Sequence, residues 1–323
     1  MLSFIDMKNR IKTLLNVDTL LIFILGIVAG GLYIGTRGQI LSGSTLESIG
    51  YQLPVLGLLT IAQMVAMINA GIDLSIISIA NFAGITAAIL LKNFSVPVII
   101  AILLALVAAV TFGIINGIII GCLDAPPLLV TLATGFLVRG IALGWTRGYI
   151  ISGLPSAFVA LGTSSVFFVP ISFLIFIGIS LGFSILLYYT VTGKEIFLTG
   201  TNPVASVFSG VSVPHTRVKV YLISALISGI AGLIMAARFN AAQADYGGAF
   251  LLVTVLICVL GGVSPSGGTG RVETVLIALA TLQLVSTGFN VMRVSSYLAS
   301  ALWGGILLTV LLMSRILPKR QIM

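Results

Sequence analysis

The string Asn69-Ala70-Gly71-Ile72-Asp73-Leu74-Ser75 holds the one charged side chain between Glu47 and Lys92. The apolar and weakly polar residues around it are enough for two crossings of a bilayer, since a membrane helix needs about 20 apolar residues. A carboxylate at the centre of such a helix costs about 2.5–3.5 kcal/mol on insertion scales. Asp73 is therefore expected to face protein or water, at a site or an internal brace. Gly71 offers a place for the helix to break, and Asp73 can then accept from the amides two and three residues on. A broken helix at membrane depth is tolerated where it lines a cavity or is buried in protein.

The rest of the chain agrees with a bilayer environment. Of 323 residues, 59% are hydrophobic and 7% are charged, with a mean hydropathy of +1.23. Soluble domains carry about 25% charged residues, so this chain cannot clothe a water-facing surface. Apolar runs predict ten spans, at 18–36, 50–69, 72–91, 95–121, 126–145, 165–191, 217–238, 249–263, 272–290 and 294–314. The fold class is an all-α polytopic membrane protein, read as a single transmembrane domain over residues 1–323.

The net charge of +8 does not point to nucleic acid, because the basic residues lie at span ends rather than in a patch interleaved with aromatics. With ten spans and a cytoplasmic N-terminus (residues 1–17), the C-terminus (315–323) is cytoplasmic too. The inner segments then carry ten basic residues, among them Lys8, Arg10, Lys12, Lys194, Arg217 and Lys219, against five outside. That bias follows the positive-inside rule. Cys122 and Cys258 belong to no metal-ligand spacing and read as buried thiols. Gly113 and Gly117 have the GxxxG spacing that lets helices approach closely.

Asn69, Asp73, Ser75, Asn116 and Arg139 are the candidate polar residues of a solute path or a structural hinge, beside Gln63, Asn81, Gln283 and Asn290. Interhelical glue is the competing reading for each. Asp73 and Arg139 are the two charges read as lying within the membrane, and mutual pairing is the expected way to keep both.

The longest internal polar segment is Thr192–Arg217. Within it Asn202 is a strong helix cap and Pro203 suits the first helical position. Gly210 suits the residue that closes a helix. Val204, Val207, Phe208 and Val211 fall at i, i+3, i+4 and i+7, on one face of a helix barely two turns long. Such a helix is unstable alone in water. Its apolar face calls for a groove in another protein, the membrane surface, or the chain's own helices.

Catalytic chemistry is missing. No GxxxxGK[ST] occurs; the glycine-rich run Gly261–Gly270 leads into Arg271, without the lysine and hydroxyl of a phosphate-binding loop. It reads as a flexible turn between spans. His215 is the sole histidine and the acids are scattered singly, so neither a metal site nor a nucleophile with its base can be assembled.

Ala70-Gly71-Ile72-Asp73-Leu74-Ser75 resembles the AGIDLS signature of the ribose-type sugar permeases, including the autoinducer-type furanose importers. These are membrane subunits of bacterial ATP-binding-cassette importers. Gly113-Ile-Ile-Asn116-Gly117 is similar to the family's GxxNG, and Ala125–Thr134 to its PPFIVTLGT stretch, with Arg139-Gly140 following. Thr190, Gly193-Lys194, Gly200, Asn202, Ala205 and Gly210 resemble its cytoplasmic loop, and Gly261-Gly262 with Gly267–Gly270 its late glycine motifs. The order is kept over roughly residues 50 to 315. Ile77 departs from a usual Gly, Gly247–Leu260 lacks the usual acid, and Trp145–Thr163 matches weakly.

The resemblance implies a permease subunit in the bacterial inner membrane that takes a sugar or sugar-like solute from an extracytoplasmic binding protein. Separate ATPase subunits would hold the ATP and magnesium, with no cofactor bound by this chain. A second permease copy, or a homologous permease, would complete the pore. Asn202, Pro203, Val204, Ala205, Val207, Phe208 and Gly210 would form the coupling helix, within a coupling loop at 192–217. The alternatives are an ion-coupled secondary transporter or channel, a branched-chain amino acid permease of the same superfamily, and a scaffold without transport.

Overall fold

In a computed structural model, residues 17–295 are described, with 298, 301, 304 and 305. The basic residues at 8, 10 and 12, the tenth predicted span at 294–314 and the C-terminal segment 315–323 lie largely or wholly outside the described residues. The described residues are mainly helical: α1 (Val17–Gly35), α2 (Gly43–Ile68), α3 (Ile76–Asn93), α4 (Val98–Cys122), α5 (Pro127–Thr146), α6 (Ser156–Thr163), α7 (Ile171–Tyr189), α8 (Val191–Thr201), α9 (Pro203–Phe208), α10 (Val213–Phe239), α11 (Phe250–Leu260) and α12 (Val272–Val291). Two short antiparallel pairs join the loops, β1 (Ile151–Ser152) with β4 (Ala241–Ala242) and β2 (Ser165–Val166) with β3 (Val169–Pro170).

Seven of the described helices, α2, α3, α4, α5, α7, α10 and α12, are long and apolar enough to cross a membrane. The expectation of a full span at 249–263 is corrected. α1 covers 19 residues where the span at 18–36 was expected, whereas α11 has 11 residues, about 16 Å at 1.5 Å per residue. The span expected at 165–191 is shorter as well, because its first residues turn back as the β2–β3 hairpin. The 192–217 segment is largely helical rather than loop: α8 occupies its first half, and Arg217 lies in the first turns of α10.

The central element is α2. Every residue from Pro54 to Ile68 is buried, the pattern of a helix enclosed on all sides by others. Its N-terminus is capped by Ser42, whose Oγ accepts from Thr45 N at 3.3 Å. The 27-residue α10 is the second buried pillar. It contributes to two apolar cores: Tyr221, Ile227 and Ile234 belong to the one built around α2, α7 and α11, while Leu233, Ala236 and Ala237 belong to the one with α3, α4 and α6. Side chains at Gly113 and Gly117 would run into the backbone of Tyr221 and Val218. That GxxxG pair therefore brings α4 against α10.

By contrast α4, α5 and α7 leave most of their apolar surface outward, as helices facing lipid or another subunit do. Cys122 is exposed at the end of α4, contrary to the buried thiol expected there; Cys258 is buried, its Sγ directed at the Thr60 carbonyl.

Candidate functional site

Two polar assemblies occupy the interior. The first is the break between α2 and α3. α2 closes with Gly71 N donating to Ala66 O at 2.9 Å and Ala70 N to Met67 O at 3.0 Å, the bond pair of a Schellman end. The left-handed residue is Ala70, with φ of +59°, not the glycine beside it. Gly71 is needed for another reason: a side chain there would meet the Tyr221 hydroxyl.

Asp73 is almost wholly buried and its carboxylate has three donors. Oδ1 accepts from Ser75 N at 2.9 Å and from Ser75 Oγ, and Oδ2 accepts from Ser224 Oγ at 2.8 Å. The Ser75 amide is the first of the two bonds expected for a capping role. Asn116 Nδ2 donates to Ser75 Oγ at 3.0 Å. Thr131 Oγ1 donates to Ile72 O at 3.0 Å and accepts from Leu74 N at 3.1 Å. In the orientation that satisfies both of its ends, the Gln63 amide donates to Asp73 O at 2.9 Å and accepts from Asp73 N at 3.3 Å. Asn69 Nδ2 donates to Ile196 O at 3.3 Å and to Thr199 Oγ1. The seven-residue string is thus tied to α2, α4, α5, α8 and α10.

Asn69, Asp73, Ser75 and Asn116 are brought together; Arg139 is not. The expected Asp73–Arg139 pair is corrected. Thr131, which bonds Ile72 and Leu74, lies eight residues before Arg139 on α5, about 12 Å along the axis. Arg139 Nε instead meets Asp245 Oδ1 at 2.7 Å. Ser224, Thr131 and Thr199 were missed. Membrane-helix serines and threonines usually bond their own carbonyl four residues back, and nothing in the sequence marks those that reach across.

The second assembly is a groove between the start of α3, the middle of α5 and the segment 244–251, enclosing a cavity of about 420 Å³. Leu74, Ile77, Leu132 and Phe136 supply apolar walls, and Ser78, Asn81, Arg139 and Asp245 polar ones. Asn81 Nδ2 donates to Ala244 O at 2.8 Å and Tyr246 O at 2.9 Å, clamping the backbone on both sides of Asp245. Residues 244–246 thus lie beside the second turn of α3, where neighbouring Ala80 packs against Gly232 of α10. The chain has folded back alongside α10 before α11 begins. Exposed irregular backbone at such depth needs a cavity or protein around it. Gly247–Leu260 offers no acid, but Asp245, two residues earlier, supplies one to this wall.

At the opposite end, α8 and α9 hang from the break. A side chain at Gly200 would strike the Ile68 carbonyl, and Gly268 N donates to that same carbonyl at 2.8 Å. The glycine-rich turn is therefore folded against α2 and α8 rather than loose. Lys219 Nζ holds Glu195 at 2.9 Å, bracing α8 on α10. α9 is capped by Asn202, whose Oδ1 accepts from Ala205 N at 3.0 Å. It closes at Gly210, φ +80°, with Val211 N bonded to Ser206 O at 3.0 Å. Ser206 is buried, while Val204, Val207 and Phe208 are exposed, Phe208 at 88%. Among the described residues no group of three or more His, Cys, Asp or Glu side chains could hold a metal ion.

The family model described as branched-chain amino acid transport system / permease component matches residues 45–311. The chain is similar to the autoinducer 2 import system permease protein LsrD of Escherichia coli strain SMS-3-5 / SECEC, at 30% identity over 272 residues, 82% of each chain. The LsrD proteins of Escherichia coli O9:H4 strain HS and of Shigella flexneri are 29% identical over the same length and the same shares. No solved structure matches the chain.

Proposed function

The chain belongs to the branched-chain amino acid transport system / permease component family, and we propose from that membership that it is the membrane-spanning subunit through which an ATP-binding-cassette importer moves a sugar-like solute. The family's broad description does not set the solute. The relatives named above are permeases of autoinducer 2 import systems, so autoinducer 2 is the first solute to test. A binding protein would deliver it at the outer face, and a second permease, the same or homologous, would pack on the outward apolar surface of α4, α5 and α7. Both termini would lie in the cytoplasm of a bacterial inner-membrane protein.

The observation that carries the mechanism is the bonding of Asn69 to α8, through Ile196 O and Thr199. In this reading α9 is the coupling helix. Its exposed Val204, Val207 and Phe208 seat in a groove of the ATPase, a recurrent mode of helix recognition. Movement of α9 pulls α8, and α8 is packed through Gly200 and Asn69 on the end of α2 and the break. The break leads directly into α3, which walls the groove. ATPase closure then reshapes the groove without any nucleotide chemistry in this chain.

Co-purification from cells expressing the chain with its ATPase tests this, together with ATP-driven uptake in vesicles. Phe208→Asp is expected to abolish ATPase binding and uptake while leaving the chain in the membrane. A stable complex and unaltered uptake in that variant would overturn the coupling role.

A further inference from the structure

At the end of α2 remote from the break, two cavities meet at one side chain. Along one face of the helix an apolar groove of about 600 Å³ runs between Leu46, Ile49 and Leu53 on α2 and Phe168 and Phe173 across from them. On the adjoining face lies a polar pocket of about 420 Å³, lined by Ser44, Ser48, Thr163 and Arg238. Glu47 lines both. It is exposed, Arg238 is partly buried, and neither forms an ion pair among the described residues. The Arg238 guanidinium lies 5.5 Å from the Phe239 ring centroid, which leaves its N–H groups for another partner. An acid and a base are thus held apart in one pocket, at the mouth of an apolar groove. The neighbouring chain is unlike a water-facing surface. Between Arg147 and Lys194 no residue is charged, whereas soluble domains carry about 25% charged residues. Phe167 and Phe168 form the two-residue turn of the β2–β3 hairpin, with φ of +49° and +68° and exposures of 93% and 97%. Such backbone is unfavourable for bulky residues, so the turn spends strain to hold two phenyl rings outward beside the groove.

We propose that the two cavities together hold one phospholipid of the adjacent leaflet, and that its headgroup is ethanolamine. An acyl chain lies in the groove against Leu46, Leu53 and Phe173. The Arg238 guanidinium donates to the phosphate, and the ammonium donates to the Glu47 carboxylate. Basic pockets between membrane helices take lipid headgroups in this way, and Glu47 adds the selection. A choline head has no N–H to give the carboxylate, and an anionic glycerol head meets it as a like charge. The chain's own apolar segment 294–314 has no charged residue to set against Glu47 or Arg238. The site belongs to the chain alone and goes beyond its reading as a permease.

The test uses the full chain in phosphatidylcholine nanodiscs, with Phe168→Trp as reporter and Trp145→Phe and Trp303→Phe removing the other indoles. Phe173→Trp replaces the reporter should the first fold poorly. Dibrominated phosphatidylethanolamine, phosphatidylcholine or phosphatidylglycerol is titrated in, and quenching of the indole gives the relative affinity of each. Phosphatidylethanolamine is expected to bind several-fold more tightly than the other two. Its advantage over phosphatidylcholine should vanish in Glu47→Gln, and the affinity for all three should fall in Arg238→Gln. Equal affinity for the three lipids would mean ordinary bilayer contact. Quenching by none of them would mean a groove filled by residues 294–314 or by a second permease. A preference unchanged in both variants would mean that the two charges read no headgroup. Each of these results overturns the proposal, and none depends on transport, so the permease reading stands or falls separately by ATP-driven uptake.

Discussion

At the scale of single residues, Asp73 is held by hydroxyls and amides rather than by a cation, and this defines its role. Ser75 N, Ser75 Oγ and Ser224 Oγ all point at its carboxylate. Asp73→Leu would leave three buried donors unmet, each at about 1–3 kcal/mol. The expected outcome is a large loss of folded protein, read as thermal stability in detergent. Asp73→Asn keeps an acceptor for Ser75 and offers Ser224 a donor, so stability is expected to change by about 1 kcal/mol or less and ATP-driven uptake to persist. Abolished uptake in a folded Asp73→Asn chain would instead mark a proton carrier. Ala70 pays a conformational penalty next door, with φ of +59°. A left-handed non-glycine residue costs roughly 1–2 kcal/mol, and glycine's extra unfolded freedom returns about 0.5–1. Ala70→Gly is therefore expected to stabilise the chain slightly, whereas Gly71→Ala drives a methyl at the Tyr221 hydroxyl and should destabilise it; calorimetric or fluorescence melting of the two variants checks the opposite signs.

At the scale of elements, the sequence was legible wherever a local rule acted. Asn202, Pro203 and Gly210 mark α9 because capping, a fixed φ and a left-handed closure are properties of neighbouring residues. Apolar runs mark the long helices for the same reason. What was not legible depends on register between distant segments. Arg139 takes Asp245 because Asn81 draws 244–246 down beside α3, and no spacing in the chain announces that fold-back. The shortness of α11 has the same origin, since an 11-residue apolar run reads as part of a span until its neighbours are known. Residues 192–201 carry enough polar side chains to read as loop, yet they form α8, which packs between α9 and the break. Gly200 is the point where it bears on α2, and a branched side chain there must push α8 off the Ile68 carbonyl. If α9 is the ATPase-docking helix proposed above, Gly200→Val is expected to preserve ATPase binding and to lower ATP-driven uptake by about tenfold or more, a barrier change of only about 1.4 kcal/mol. Loss of ATPase binding and uptake together would show instead that α8 and α9 act as one docking surface.

For the whole molecule, the question is where the energy for movement enters. α10 is shared by both apolar cores, and α2 is buried along its inner half. These two pillars form a frame that resists independent motion. The parts left with room to move lie at its edges: α9 with its exposed face, the strut α8, and the groove wall at 244–251. They form a continuous path from one end of the chain to the cavity, through Thr199, Asn69 and the α2–α3 break. A coupling ion would have to act in the middle of that path, at Asp73, where the carboxylate is already bonded on both oxygens. Force from a partner would act at its end, where apolar side chains stand uncovered. Vesicles containing the chain with its ATPase and binding protein are therefore expected to take up solute when ATP and magnesium are supplied on the side that presents α9. Uptake should fall to background when magnesium is chelated, the result that the proposed partner ATPase requires. With ATP withheld and a sodium or proton gradient imposed, uptake is expected to stay at background; strong gradient-driven uptake would mean that Asp73 or the Arg139–Asp245 pair titrates during the cycle, and that the frame transmits motion from its centre outward.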